Sequence, residues 1–187
     1  MMQRTRRSLL AATGMAGMTA VCGSAQAAAS ARQINHDVDR ALQNLLSAQP
    51  KMRDLAKRAV AILVFPRIVK AGFLVGGQGG DGALRVQGKT VGYYDIAAGS
   101  FGLQAGFQTF SYVLFFMTAS SLKYLQDSNG WAIGSGPSVV VLDKGAAASI
   151  TSTTLAQDVY AVPFGQRGLM AGMGLEGSKI TRITVGG

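Results

Sequence analysis

A run of basic residues between positions 51 and 70 is the strongest chemical signal in the sequence. Six cations oppose one acid, Asp54, so these 20 residues carry a charge of +5; the cations are Lys51, Arg53, Lys57, Arg58, Arg67 and Lys70. A solvated face usually mixes both signs of charge, and the imbalance therefore favours a surface that binds a polyanion. Anionic phospholipid head groups fit this chemistry. Nucleic acid is disfavoured because no aromatic residues alternate with the cations to stack on bases.

Groups for catalysis or metal binding are few. The chain has one histidine, His36, and one cysteine, Cys22. A serine or threonine nucleophile usually needs a nearby base, whereas His36 falls on a predicted terminal helix where a solvated position is expected. One histidine and one cysteine also exclude most metal sites. The sequence therefore predicts a protein that is not an enzyme and that uses no metal and no cofactor.

Carboxylates leave one enzymatic alternative open. Their spacing shows no pattern, so they could meet only through folding; they are Asp81, Asp95, Asp127, Asp143, Asp158 and Glu176. A hydrolase that works with paired carboxylates would need them in one pocket.

Glycine is unusually frequent, at 25 of 187 residues, and a glycine-rich segment spans Gly76 to Gly82. The dinucleotide fingerprint needs a helix after such a segment, but Ala83 to Gln87 has the pattern of a strand. The later Gly88-Lys89-Thr90 lacks the spacing of a phosphate-binding P-loop and is typical of a hairpin turn. We therefore interpret the glycines as turns, bulges and close backbone approaches.

Residues 1–27 have the features of a cleaved signal peptide. Arg4, Arg6 and Arg7 precede 14 uncharged residues, Ser8 to Val21, and this stretch is too short to span a bilayer. Small residues before position 28 predict cleavage after Ala27. The paired arginines resemble the twin-arginine export motif.

Lipidation at Cys22 is the alternative to this cleavage, although Thr19 and Val21 depart from the usual lipobox. Either form leaves the cytoplasm, so we expect a periplasmic protein that associates with a membrane. Cleavage removes three of the 18 basic residues and none of the nine acids, so the mature chain carries +6. Residues 28–187 show no linker or repeat and are expected to form a single domain.

Apolar spacing predicts helices first and strands after them. Ala31 to Ala48 has the amphipathic period of a helix, and a second short helix follows it. Thr118 is a candidate cap for an inserted helix, Ala119 to Gln126.

The remaining apolar segments predict about eight or nine short strands. Ala59 to Phe65 reads as a buried strand stopped by Pro66, and Phe101 to Phe116 as one or two strands. The fold class is therefore α+β, with an antiparallel β-barrel or sandwich, N-terminal helices and one inserted helix.

Several blocks of the chain resemble the SYLF-domain family. They are Lys57 to Pro66, Lys70 to Gly77, Ser100 to Gln108, Trp131 to Gly134 and Gly168 to Gly177, which follow the family's order. The resemblance covers about residues 35 to 185. It implies a non-enzymatic domain, because eukaryotic members bind phosphoinositides and, in yeast, actin filaments, while bacterial members are exported proteins usually called lipid-binding.

The basic run and the resemblance together predict an exported protein that binds anionic phospholipids at a membrane surface. Actin binding is not expected, since the bacterial periplasm holds no such filament. The alternative is a structural or oligomeric envelope protein, a homo-oligomer in which Phe101 to Phe116 pairs with another copy.

Overall fold

The computed structural model describes residues 22–142, 156–168 and 177–185, which form three helices and six strands. The helices are α1 (Cys22–Ala48), α2 (Met52–Arg58) and α3 (Ala119–Asp127). The strands are β1 (Ala61–Val86), β2 (Lys89–Phe116), β3 (Trp131–Ala132), β4 (Val139–Val141), β5 (Val159–Gly168) and β6 (Lys179–Ile183). Residues 1–21, which hold most of the predicted signal peptide, lie outside the described part.

One mostly antiparallel sheet contains all six strands. Its order is β3-β6-β2-β5-β4, and β1 also pairs with β2; only β4 and β5 run parallel. The sheet curls into a half-barrel, since β2 is long enough to pair with β1, β5 and β6 along its length. The α+β class with a curled antiparallel sheet is therefore confirmed.

Two strands are longer than the sequence pattern indicated. Pro66 does not end a strand, because β1 continues through it at a register shift between Phe65 and Ile68. A bulge leaves a residue without a ladder partner, and proline, which lacks an N–H, is tolerated there. Several predicted short strands are thus joined into β1 and β2.

The glycine-rich segment Gly76 to Gly82 is part of β1 and pairs with β2. A Cβ at Gly80 would lie 2.3 Å from the carbonyl oxygen of Arg67, and one at Gly82 the same distance from that of Val64. The two halves of β1 therefore meet backbone against backbone as the sheet curls, which only glycine allows.

Side chains of β1 and β2 alternate between two buried faces. Leu63 and Phe65 pack with Trp131 and with Leu125 of α3, whereas Val64 faces the opposite cluster. That second cluster contains Val38, Ala41 and Leu45 of α1 together with Met52 and Leu55 of α2. A strand covered on both faces appears as a continuous apolar run, as the sequence showed. Full burial of each large apolar side chain contributes about 1.5–3 kcal/mol.

A two-residue hairpin joins β1 to β2. Val86 pairs with Lys89, so the turn is Gln87-Gly88, one residue earlier than predicted. Both turn residues have positive φ, 50° and 77°, as a type I′ turn requires.

The helices follow the predicted positions closely. The side chain of Thr118 accepts a hydrogen bond from the Ser121 amide at 3.2 Å and caps α3, as expected. The predicted Ala31 to Ala48 helix lies within α1, which begins earlier, at Cys22. In the described ranges, neither α1 nor a shorter helix has the length and apolar character needed to cross a membrane.

A candidate anion-binding surface

Helix α2 and Lys51, the residue just before it, expose the first four cations of the basic run. Its apolar side chains Met52 and Leu55 are buried against the sheet, and this orientation turns the basic side chains outward. Lys51, Arg53, Lys57 and Arg58 are all exposed. Arg53 also donates a hydrogen bond through Nε to the Leu46 carbonyl, 3.1 Å away, and so joins α2 to the end of α1.

The last two cations of the run lie on β1 and not on α2. Arg67 is exposed and lies in the β1 bulge, whereas Lys70 is half-buried and pairs in register with Gln108 of β2. The six predicted lipid-binding residues are thus divided between the α2 region and β1. Arg67 has different neighbours from the cations of α2.

Two bulges flank the same point of β2. On one side, Pro66 and Arg67 oppose the single residue Ser111; on the other, residues 165 and 166 of β5 oppose the single residue Phe110. The Ser111 hydroxyl donates to the Pro66 carbonyl at 2.7 Å and ties down the first bulge. Gly165 has a φ of 66°, which permits the second. Bulges re-aim side chains, and both are next to α1.

A groove of about 520 Å³ lies between α1 and this bulged part of the sheet. Three arginines from three separate elements line it: Arg40 of α1, Arg67 of β1 and Arg167 of β5. Among the described residues that line the groove, Asp37 is the one acid, so their net charge is +2.

Sequence reasoning missed two of the three groove arginines. Arg40 falls within the predicted first helix and was not a candidate site residue, and Arg167 lies 100 residues after Arg67. No spacing rule joins residues so far apart, because the juxtaposition depends on the pairing of β5 with β2. Pro163 and Gly165 are local signals of a bulge there.

His36 occupies an exposed position on α1, as expected. Its Nδ1 lies 3.3 Å from Asp37 Oδ1, and its Nε2 lies 3.5 Å from the Arg40 guanidinium. Within the described ranges, no group of three or more histidine, cysteine or acidic side chains is placed to hold a metal ion.

Two of the six candidate carboxylates are neighbours. Asp81 of β1 and Asp95 of β2 are cross-strand partners. Burial, and to a lesser degree the negative charge of Asp81, raises the pKa of Asp95. The arginine-lined groove contains neither of them.

The other carboxylates are dispersed. Asp127 forms an ion pair with Lys123 along α3. Asp158 accepts hydrogen bonds from the backbone and hydroxyl of Ser138, which hold the pKa of Asp158 below its usual range. Asp143 and Glu176 lie outside the described residues. Among the four candidates that the structure describes, Asp81 and Asp95 thus form one cross-strand pair, while Asp127 and Asp158 have other partners.

The fold and its exposed cations define a small α+β domain with a basic surface. Residues 97–184 match the family model described as Ysc84, Las17-binding protein actin regulator. This match supports the resemblance to the SYLF-domain family over residues 97–184. No curated protein matches the chain. The matched range includes Arg167 but begins after Arg40 and after the basic run.

Proposed function

We propose that the protein is a non-enzymatic lipid-binding protein that attaches to anionic phospholipid surfaces. The observation that carries the proposal is the orientation of α2, which buries Met52 and Leu55 and turns four cations to solvent. Each such charge near an anionic membrane contributes up to about 1 kcal/mol. The SYLF-type fold supports a lipid-binding role through the resemblance described above.

We further propose that the protein is exported and acts in the periplasm. Cleavage after Ala27 would remove the first six residues of α1 and leave its buried face, Val38 to Leu45, intact. Intact-mass measurement of protein from its native envelope tests this, with Ala28 expected as the first residue. A diacylglyceryl mass on a chain that begins at Cys22 would instead establish lipidation. Las17 binding and actin regulation are not proposed for this chain, because export would separate it from such partners.

Vesicle sedimentation tests the membrane proposal. The mature protein should sediment with phosphatidylcholine vesicles that contain phosphatidylglycerol, and much less with phosphatidylcholine alone. Lys57→Gln with Arg58→Gln should weaken binding by about 1 kcal/mol per charge removed. Glutamine is preferred to glutamate because both positions lie in the last turn of α2, where a negative charge opposes the helix dipole.

A matched control separates local from global charge. Lys89→Gln with Lys179→Gln removes the same charge from the hairpin and from β6, and both side chains are exposed. Binding should stay near the wild-type level. Equal losses in the two double variants would show that only net charge matters, and wild-type protein that ignores anionic vesicles would refute the membrane proposal itself.

The alternative is a structural or oligomeric protein in which Phe101 to Phe116 pairs with another copy, and the structure bears on only part of that segment. Over Gln108 to Phe116, strand β2 is paired on one edge with β1 and on the other with β5. A second copy therefore has no free edge to pair with in this segment. Gel filtration of the mature protein with and without vesicles still tests assembly directly.

A further inference from the structure

We propose that the groove between α1 and the bulged sheet binds a phosphate group through Arg40, Arg67 and Arg167. This deepens the proposed function and rests on it only for the source of the phosphate, which is either a lipid head group or a soluble phosphate ester.

Convergence of the arginines carries the proposal. They come from a helix, a strand bulge and the residue next to a second bulge, and they line one groove. Guanidinium groups present paired N–H donors in a planar fork that matches phosphate oxygens. Three arginines around one groove with a single acid give the groove a positive potential that attracts an anion.

The acid of the groove does not neutralise the arginines. Asp37 accepts a hydrogen bond from Gln33 Nε2 at 2.8 Å, and its other oxygen faces His36. Among the ion pairs of the described residues, which involve His36, Arg85 and Lys123, none includes a groove arginine. The groove cations therefore keep donors for a ligand.

Geometry next to the arginines favours a phosphate ester over a bare ion. Polar side chains, Asn44 and Thr109, lie beside the arginines, while Phe110 and Phe164 form an apolar part of the lining. The groove volume falls in the range of small-molecule sites, roughly 300–1,000 Å³. An amphiphilic head group has this combination of an anionic centre and an organic body.

The two bulges place Arg67 and the residues before Arg167 differently from the way a regular sheet would place them. In an unbroken ladder, Pro66-Arg67 and residues 165 and 166 would have partners across β2; here each pair faces one residue. The extra residue on each side turns the local strand, and the Ser111–Pro66 hydrogen bond holds that turn in place.

Calorimetric titration of the full mature protein with inorganic phosphate and with glycerol 3-phosphate tests the site. Arg67→Gln with Arg167→Gln should weaken binding about tenfold or more, because two charge-assisted hydrogen-bond donors are lost. Lys89→Gln with Lys179→Gln removes the same charge elsewhere, is the matched control and should retain wild-type affinity for both phosphate compounds. Both arginines are exposed, so thermal unfolding should show both variants folded.

Vesicle sedimentation of the same variants separates the sources of phosphate. Loss of both phosphate and anionic-vesicle binding in the groove variant identifies a lipid head group. Loss of phosphate binding with unchanged vesicle binding identifies a soluble ester and leaves the membrane proposal standing on α2. Phosphate affinity that is absent in the wild type, or equal in the wild type and the groove variant, overturns the groove proposal, whatever the vesicles show.

Discussion

At the scale of single residues, Gly82 shows how little space the curled sheet leaves. A Cβ there would meet the Val64 carbonyl oxygen at 2.3 Å and a ring carbon of Phe65 at 2.6 Å. The obstructing oxygen belongs to backbone that is itself paired with β2, so it cannot move aside as a flexible side chain could. The glycine is thus required by closure of the fold and not by a ligand.

Gly82→Ala is predicted to destabilise the protein by at least about 1–3 kcal/mol, the usual cost of forcing extra atoms into a packed site. Denaturant unfolding measures the effect. Gly99→Ala is the control, since a Cβ there meets nothing within 4 Å. It should leave stability unchanged or raise it by up to about 1 kcal/mol. Similar losses at both positions would mean that backbone freedom, and not close approach, explains these glycines.

The Asp81–Asp95 pair is a second feature at residue scale. Directly opposed like charges destabilise a strand pair, and the raised pKa of Asp95 reflects burial first and the charge of Asp81 second. Because the pKa of Asp95 is raised in the folded state, the favourable contribution of Asp95 to the free energy of unfolding is present at low pH. It is lost as the pH rises through the folded-state value.

Asp81→Asn is therefore predicted to raise stability at pH 7 by about 0.2–1 kcal/mol. The gain should diminish as the pH falls, because Asp95, whose pKa is raised by burial and by the charge of Asp81, becomes protonated. Unfolding curves from pH 7 downward measure it. The control, Asp127→Asn on α3, removes an ion pair with Lys123 and should lower stability at pH 7 by about 0.3–0.5 kcal/mol. A destabilised Asp81→Asn would show that the two charges do not repel.

At the scale of elements, α1 has two functions. Its buried face, which includes Val38, Ala41 and Leu45, covers one side of the sheet, and its neighbouring face supplies Arg40 and Asn44 to the groove. The Arg85–Asp39 ion pair, at 2.7 Å, adds a polar link from the hairpin to the same helix. Packing of α1 therefore fixes one wall of the proposed phosphate site.

Leu45→Ala is predicted to cost about 2–5 kcal/mol, because a fully buried leucine is replaced and a cavity remains under α1. Thermal unfolding gives the value. Gln43→Ala, two residues earlier on the exposed side, should change stability by less than about 0.5 kcal/mol. Equal small effects would indicate that α1 is not docked on the sheet as described.

At the scale of the whole molecule, the excess positive charge is the property that acts over the longest distance. The full sequence carries a formal charge of +9, and removal of the predicted leader leaves +6. Such a charge attracts the protein to any anionic surface, whereas a groove recognises one group. The two contributions respond differently to salt.

Sedimentation with phosphatidylglycerol vesicles is predicted to fall steeply between 0.1 M and 1 M salt, as the Debye length shortens from about 10 Å to about 3 Å. The measurement is the bound fraction at each ionic strength, with sucrose-matched buffers as the control for vesicle density. Binding that persists undiminished at high salt would contradict an electrostatic mechanism and would favour an apolar contact.

Periodicity in the sequence determined the main elements of this protein. Alternation and amphipathic spacing are local properties, so the two N-terminal helices, the cap at Thr118 and the curled antiparallel class all follow from neighbouring residues. The exposure of the α2 cations is equally local, since Met52 and Leu55 define which side of the helix is buried. Nothing local, however, tells a glycine in a turn from one in a strand.

Only the tertiary structure decided where strands continue, bend and meet. Pro66 and Gly76 to Gly82 look like breaks in the sequence, yet they lie inside β1, because pairing with β2 outweighs local preference. The same long-range pairing brings Arg67 and Arg167 to one groove across 100 residues of chain. Side chains that far apart are neighbours only through the register of the sheet, and register depends on every pair along the strands at once.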